Sequence, residues 1–281
     1  MIQLDRHDPG RLVRARGIVR SLGSVLVAYS GGVDSSLLLK VALDELGVER
    51  AVAVLASSPA YPAEEQDGAR ALASAMNARL VEVETHEVEL DAYRRNLPDR
   101  CFHCKEELFE ALEPVREQLG LAHLAYGATA DDASDHRPGH GSAVRRGVRF
   151  PLLEAGMGKG EVRAAARDLG LPNWDKPSFA CLSSRFQYGD PITSEKLRRI
   201  DAAEEFIRSL GFRQFRVRHH DRLARLEIPL EEIARLWEDG RHEAIVRRFR
   251  ELGYAYVAVD LSGFQSGSAN IVLKLGRAGH G

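Results

Sequence analysis

One junction constrains the fold of this chain more than any other. A short apolar run, SVLVAY at 24–29, ends in Ser30-Gly31-Gly32-Val33-Asp34-Ser35-Ser36, and a helical run, LLLKVALDELG, follows at once and stops at Gly47. A strand that passes directly into a helix through a two-glycine turn predicts a βα unit, whose next strand returns parallel to the first. The rhythm then repeats. RAVAVLA (50–56) reads as a second buried strand and AEEQDGARALASAMN as a helix. RLVEVE (79–84) alternates as a half-buried strand does, 102–119 reads as a helix, and LAHLAYG (121–127) as a fourth strand. Apolar strands alternating with helices predict a parallel sheet covered on both faces. Ligands of such sheets bind beyond the carboxyl ends of the strands.

Downstream the pattern changes. Residues 128–149, with ADDASDHRPGHGS, are rich in turn formers and read as loop. Residues 160–170 read as a helix and 173–191 as an ordered loop. From Thr193 the order is helix (194–210), strand (215–220), strand (223–228), helix (230–252) and strand (254–260). This predicts two domains: a parallel α/β domain over 1–190 and a smaller α+β domain over 191–281.

Composition removes several functional classes. With 281 residues, 44% of them hydrophobic, the chain can bury a sizeable core. A net charge of −2, from 39 basic and 41 acidic residues, excludes a globally basic nucleic-acid coat and a disordered acidic chain. No apolar run reaches membrane-spanning length, and MIQLDRHDPGRLVRARG has no apolar signal core, so a cytoplasmic protein without a membrane partner is expected. Three cysteines, Cys101, Cys104 and Cys181, are too few and too odd a number for a disulfide framework.

The glycine turn suits phosphate. Gly31 and Gly32 let the backbone approach a ligand closely, and the following helix N-terminus faces an anion. Ser30, Ser35 and Ser36 offer hydroxyls, and Asp34 is a candidate Mg²⁺ ligand. No GxxxxGK[ST] sequence is present, and Gly158-Lys159 reads as a helix start rather than a second phosphate loop. Ser57, after the second strand, is a further nucleotide candidate. Asp131, Asp132 and Asp135 are candidates for Mg²⁺ or ribose, with turn composition as the plain alternative.

For Cys101-Phe102-His103-Cys104 and Cys181 several readings stand open. They are isolated thiols, a zinc site completed by His103 or His136, a three-thiolate iron–sulfur cluster, or a redox pair. Lys105, next to the pair, is either a contact to substrate or ATP or the start of a helix. Arg216 and Arg218 alternate on one predicted strand and so share a face, which suits a phosphate. Arg185 is a candidate third arginine. His219 and His220 read as anion contacts or strand-end caps.

SGGVDSS resembles the SGGxDS loop of the PP-loop ATP pyrophosphatases (adenine nucleotide alpha-hydrolase-like proteins), which cleave ATP to AMP and pyrophosphate. RCFHCKEELF, GATADDASDHRPG, ACLSSRFQYGDPIT, FRVRHHDRLARLEIP and DLSGFQSGSAN together narrow this to a resemblance to the LarE family of sulfur transferases, running from about Ser24 to Asn270. The resemblance implies that ATP, with Mg²⁺, adenylylates the carboxylates of pyridinium-3,5-biscarboxylic acid mononucleotide. Sulfur then displaces AMP to give thiocarboxylates, in nickel-pincer nucleotide biosynthesis. It implies that Arg185, Glu204, Arg216 and Arg218 line the mononucleotide pocket. Some members consume a single cysteine one position upstream of Cys181, where this chain has Ala180. The three-cysteine members instead carry a [4Fe–4S] cluster, so Cys101, Cys104 and Cys181 are expected to be catalytic cluster ligands. A trimer-based homo-oligomer is also implied. The alternatives are a PP-loop tRNA thiolase and a zinc-stabilised nucleotide-binding protein without catalysis. Against the first, the chain has no basic tail or aromatic–basic RNA platform.

Overall fold

The computed structural model describes residues 9–134, 138–177 and 180–265. Contacts divide the chain into two compact units. The first comprises residues up to Glu87 and Cys101–Phe179; the second comprises Val88–Arg100 and residues from Ala180 onward.

The first unit opens with α1 (Pro9–Leu22), β1 (Val25–Tyr29), α2 (Val33–Leu46), β2 (Ala51–Ser57), α3 (Ala63–Ala75) and β3 (Arg79–Glu84). The chain then contributes α4 (Asp91–Arg94) to the second unit before α5 (Arg100–Gln118) and β4 (His123–Tyr126) complete the first sheet. That sheet has the order β3-β2-β1-β4, and every pairing is parallel. The α/β class read from the sequence is thus the observed one.

The middle strands explain why it forms. Val25, Val27 and Tyr29 of β1 and Ala51, Ala53 and Leu55 of β2 bury into one core with α1, α2 and α3. The alternate residues Leu26, Ala28, Val52 and Val54 bury into a second core with Leu108, Phe109 and Leu112 of α5. A strand whose two sets of side chains both enter apolar cores reads as a continuous hydrophobic run. At the sheet edge, β3 has one half-exposed face, and its sequence alternates accordingly.

Residues 128–149 depart from the loop expectation. They contain α6 (Ala130–Ser134) and α7 (Pro138–Arg145), followed by α8 (Pro151–Glu154) and α9 (Lys159–Asp168). The turn formers act here as helix caps. Asp132 Oδ2 accepts hydrogen bonds from Thr129 N at 2.9 Å and Thr129 Oγ1 at 3.0 Å. Ala143 and Val148 then bury in the second core.

The second unit contains a 3-10 turn (Leu182–Arg185), α10 (Ser194–Ser209), β5 (Arg216–His220), β6 (Leu223–Glu227), α11 (Arg241–Glu251) and β7 (Tyr256–Val259). Its sheet has the order β5-β6-β7, with β5/β6 antiparallel and β6/β7 parallel. The single helix expected over 230–252 is broken. Leu230–Gly240 is 3-10, and Asp239 (φ 49°) and Gly240 (φ 71°) turn the chain through left-handed geometry before α11 begins. Among the described residues no helix is long and apolar enough to cross a membrane.

Candidate functional site

In the first unit the Ser30–Ser36 loop lies at the carboxyl end of β1, fixed by close packing. Gly31 has φ +69°, and a Cβ there would stand 2.7 Å from Ala69 Cβ. Only glycine satisfies both conditions. Ser35 donates to Gly32 O at 3.1 Å and accepts from Ser30 N at 3.2 Å. Ser30 Oγ lies 3.1 Å from Ser35 Oγ and, since the Ser35 proton is directed at Gly32, donates to it. Gly127, just past β4, presses on the start of α2 so closely that a Cβ would be 2.9 Å from Ser35 N. Asn173 Nδ2 donates to Gly31 O and to Ser36 Oγ, both at 3.0 Å. Beneath the loop the Tyr29 hydroxyl donates to Ala69 O, and burial pushes its pKa up to about 12.

Asp34 pairs with Lys159, the first residue of α9, whose Nζ is also 3.8 Å from Asp132 Oδ2. Asp131 Oδ2 accepts from Lys159 N at 2.5 Å, and Glu161 Oε2 from Gly158 N at 2.9 Å. Gly158-Lys159 is therefore a capped helix start, as read from the sequence, and its lysine reaches back to Asp34 in the glycine loop.

Beyond β2, Ser57 O accepts from Thr85 N at 3.0 Å. Ser58 donates to buried Glu87 at 2.5 Å and accepts from Ala60 N at 3.1 Å. Desolvation raises the Glu87 pKa, opposed by hydrogen bonds from Ser58 and Thr85.

Cys101 and Cys104 stand on the first turns of α5, the former exposed and the latter half-buried, both as thiols. Lys105 Nζ sits 4.5 Å from the centre of the Tyr126 ring at the end of β4. Burial acts to lower its pKa, but the Tyr126 hydroxyl and the thiols of Cys104 and Cys101 outweigh that and raise it. Lys105 stays charged at neutral pH beside the two thiols.

In the second unit, half-buried Cys181 precedes the 3-10 turn. Arg185 holds that turn. Its side chain is 0% exposed, and Nε and Nη2 donate to the two oxygens of Glu204 at 2.9 and 2.7 Å. Its Nη1 donates to Ala180 O at 2.6 Å, Cys181 O at 3.2 Å and Ser184 Oγ at 3.0 Å. Glu204 also accepts from Val217 N at 2.9 Å. Arg218 donates to Ser184 O at 2.5 Å and to Glu227 at 2.9 Å. Arg100 donates to Ser183 O at 2.9 Å, and Tyr93 Oη lies 2.5 Å from Ser183 Oγ.

Arg216 differs. It shares the β5 face with Arg218, as its spacing predicts, but forms no ion pair among the described residues. Its Nη1 donates to Phe215 O at 2.8 Å, and its guanidinium lies 5.0 Å from the centre of the Phe264 ring. Desolvation, joined by the charges of Arg185 and Arg218, pushes its pKa down to about 10. Charge left unpaired in a half-buried place favours an incoming anion.

No protein-family model matches the chain. An uncharacterised protein of Synechocystis is 44% identical over 94% of this chain and 98% of its own length. The pyridinium-3,5-bisthiocarboxylic acid mononucleotide synthase of Lactiplantibacillus plantarum is 37% identical over 91% of this chain and 92% of its own length. The chain belongs to the LarE family. A more distant relative, an uncharacterised protein of Methanocaldococcus jannaschii, is 27% identical over 86% of this chain and 91% of its own length.

Seen as a LarE-family site, the structure gathers Ser30, Gly31, Gly32, Asp34, Ser35 and Ser36 into one loop. It also gathers Arg185, Glu204, Arg216 and Arg218 around the turn that follows Cys181. Among the described residues no group of three or more His, Cys, Asp or Glu side chains stands together as a metal site. His219 is buried, with Nδ1 3.1 Å from Tyr254 Oη, so its role is internal. Asp135 and His136 lie outside the described residues. Sequence reading missed Lys159, Asn173 and Glu87. Lys159 carried a signal, being one of six lysines among 39 basic residues. Asn173 and Glu87 carried none, because their partners are 137 and 29 residues away.

Proposed function

We propose that this chain is an ATP-dependent sulfurtransferase that makes pyridinium-3,5-bisthiocarboxylic acid mononucleotide from the biscarboxylic acid, releasing AMP and pyrophosphate, on the route to the nickel-pincer nucleotide. The observation that carries it is the family relationship across nearly the whole chain to a synthase of that product. The phosphate loop adds a site of matching chemistry.

The residues divide the work as follows. The Gly31-Gly32 turn and the start of α2 receive the phosphates of ATP, and the Ser30, Ser35 and Ser36 hydroxyls turn from their partners within the loop to donate to the phosphate oxygens. Asp34 would hold Mg²⁺, which would supply positive charge against that developing on pyrophosphate. Lys159, which pairs with Asp34, adds a positive charge beside the same loop. Lys105 keeps a positive charge next to Cys101 and Cys104 on the first turns of α5. Arg216 takes the phosphate of the mononucleotide. Arg185, Glu204 and Arg218 orient the Cys181 turn and the strand that bears Arg216.

The cysteines fit an iron–sulfur centre by donor chemistry, since all three are thiols with solvent access. In this reading Cys101, Cys104 and Cys181 hold a [4Fe–4S] cluster, which supplies the transferred sulfur when bound. Such a protein works in the reducing cytoplasm.

The deciding experiment is anaerobic purification, iron, sulfide and zinc analysis, and incubation with ATP, Mg²⁺ and the biscarboxylic mononucleotide. AMP and pyrophosphate should form only with the mononucleotide, whose product should show sulfur in place of oxygen by mass spectrometry. Cleavage that follows tRNA instead would overturn the reading. Colourless protein with stoichiometric zinc would overturn the cluster assignment, and dehydroalanine at 181 after turnover would show a sacrificial cysteine in its place.

A further inference from the structure

The DLSGFQ segment at 260–265 has no role in the site described so far, yet the structure spends several interactions on shaping it. Asp260 N donates to Leu226 O at 3.0 Å, continuing the β6/β7 pairing by one residue. The Asp260 carboxylate pairs with Arg225 and accepts from Ser262 N at 2.8 Å. Gly263 N donates to Asp260 O, and Phe264 N to Ile228 O, both at 3.0 Å. Gly263 has φ +69°, and a Cβ there would stand 3.0 Å from Ile228 O and from Leu230, so glycine is required. The product of this turn is one placement: the Phe264 ring against the Arg216 guanidinium.

Every neighbouring carboxylate is already engaged. Glu204 is taken by Arg185 and Val217 N, Glu227 by Arg218 and Arg225, and Asp260 by Arg225. Arg216 alone of these four arginines faces an aromatic ring instead of an acid. The distinction matters chemically. A carboxylate binds a guanidinium edge-on, through the in-plane N–H donors that an anionic ligand needs, and cancels its charge. A ring holds the guanidinium through its π face, keeping the charge and leaving those donors unspent. Among the described residues only Nη1 is used, on Phe215 O.

We infer that Phe264 is a positioning residue for the mononucleotide phosphate, holding the Arg216 guanidinium in place while leaving its donors and its charge to the ligand. This rests on the assignment of Arg216 to that phosphate. The turn at 260–264 is then part of the substrate site, and its glycine is needed because the ring must reach the arginine.

The test uses the full-length protein and isothermal titration calorimetry with the biscarboxylic mononucleotide and with its dephosphorylated nucleoside. Phe264→Leu should weaken the mononucleotide roughly fivefold or more. It should leave nucleoside binding and the KM for ATP unchanged, and Phe264→Tyr should restore affinity. Fluorinated phenylalanines at 264, which drain the ring face while keeping its shape, should give a graded loss even if the leucine variant folds poorly. No loss on fluorination, or equal losses for mononucleotide and nucleoside, overturns the inference while Arg216→Ala still weakens the mononucleotide. If Arg216→Ala has no effect, the phosphate assignment fails and this inference with it.

Discussion

Arg185 and Glu204 show how tertiary packing sets what a charged side chain does. Both belong to the neighbourhood expected for the mononucleotide, yet their charges meet each other at 2.7 Å with almost no exposed surface. A buried pair of this kind is costly to break from one side, because the remaining charge is left in a dry place. Glu204→Gln should therefore destabilise the protein by about 3 kcal/mol or more, read from the midpoint of denaturant unfolding. Arg216 should behave oppositely. Arg216→Ala should leave stability nearly unchanged and raise the KM for the mononucleotide about tenfold or more, with a small effect on ATP. Equal effects on both substrates would undo the phosphate assignment. His219 gives a pH signature. Burial, reinforced by the charges of Lys196 and Arg199, lowers its pKa from 6.5 to about 4. The fold thus favours neutral imidazole, and this contribution is present above about pH 6.5 and lost as pH falls toward 4. Thermal unfolding of the native chain should weaken across that window more than that of His219→Phe, whose lost Tyr254 partner costs the same at every pH.

Among the elements, the parallel sheet was legible because its strands are apolar on both faces and its helices fill the gaps between them. The glycine loop was legible because two glycines between an apolar strand and a helical run mark a tight βα turn. The helices over 130–145 were not, since Thr, Asp, Ser and Gly serve turns and helix caps alike, and burial of Ala143 and Val148 decides between them. The break near Asp239 was hidden for a related reason. Asp-Gly fits a helix end only if the chain must turn there, and that depends on where α11 packs. At this scale Gly127 is the sharpest test. Gly127→Ala places a methyl 2.9 Å from Ser35 N at the start of α2. It should raise the KM for ATP severalfold and lower the melting temperature, with the KM for the mononucleotide less affected. Unchanged ATP kinetics would show that the α2 start is not the phosphate seat.

For the molecule as a whole, chain order and compact units do not coincide. Val88–Arg100 lies between two strands of the first sheet in sequence but groups with the second unit. There Arg100 and Tyr93 bond the 183 position, and Asn96 donates to Gln187 O at 2.5 Å. A fragment spanning 180–281 lacks these partners. Expressed alone, it should unfold without a sharp transition by circular dichroism, and adding a peptide of residues 88–100 in trans should restore part of the cooperativity. A fully cooperative fragment would show that the excursion is dispensable.

The sequence by itself determined the α/β class, the glycine turn after β1, the arginine face of β5 and the family, because these depend on local period, turn chemistry and spacing within one element. Tertiary structure alone decided which of these arginines has no ion pair among the described residues, which residues brace the loop, and where the DLSGF turn places its ring. Those outcomes depend on partners such as Glu204, Asn173 and Phe264, each brought into place from a distant part of the chain. Whether a charge is spent or available is set by what packs beside it, and no local pattern records that.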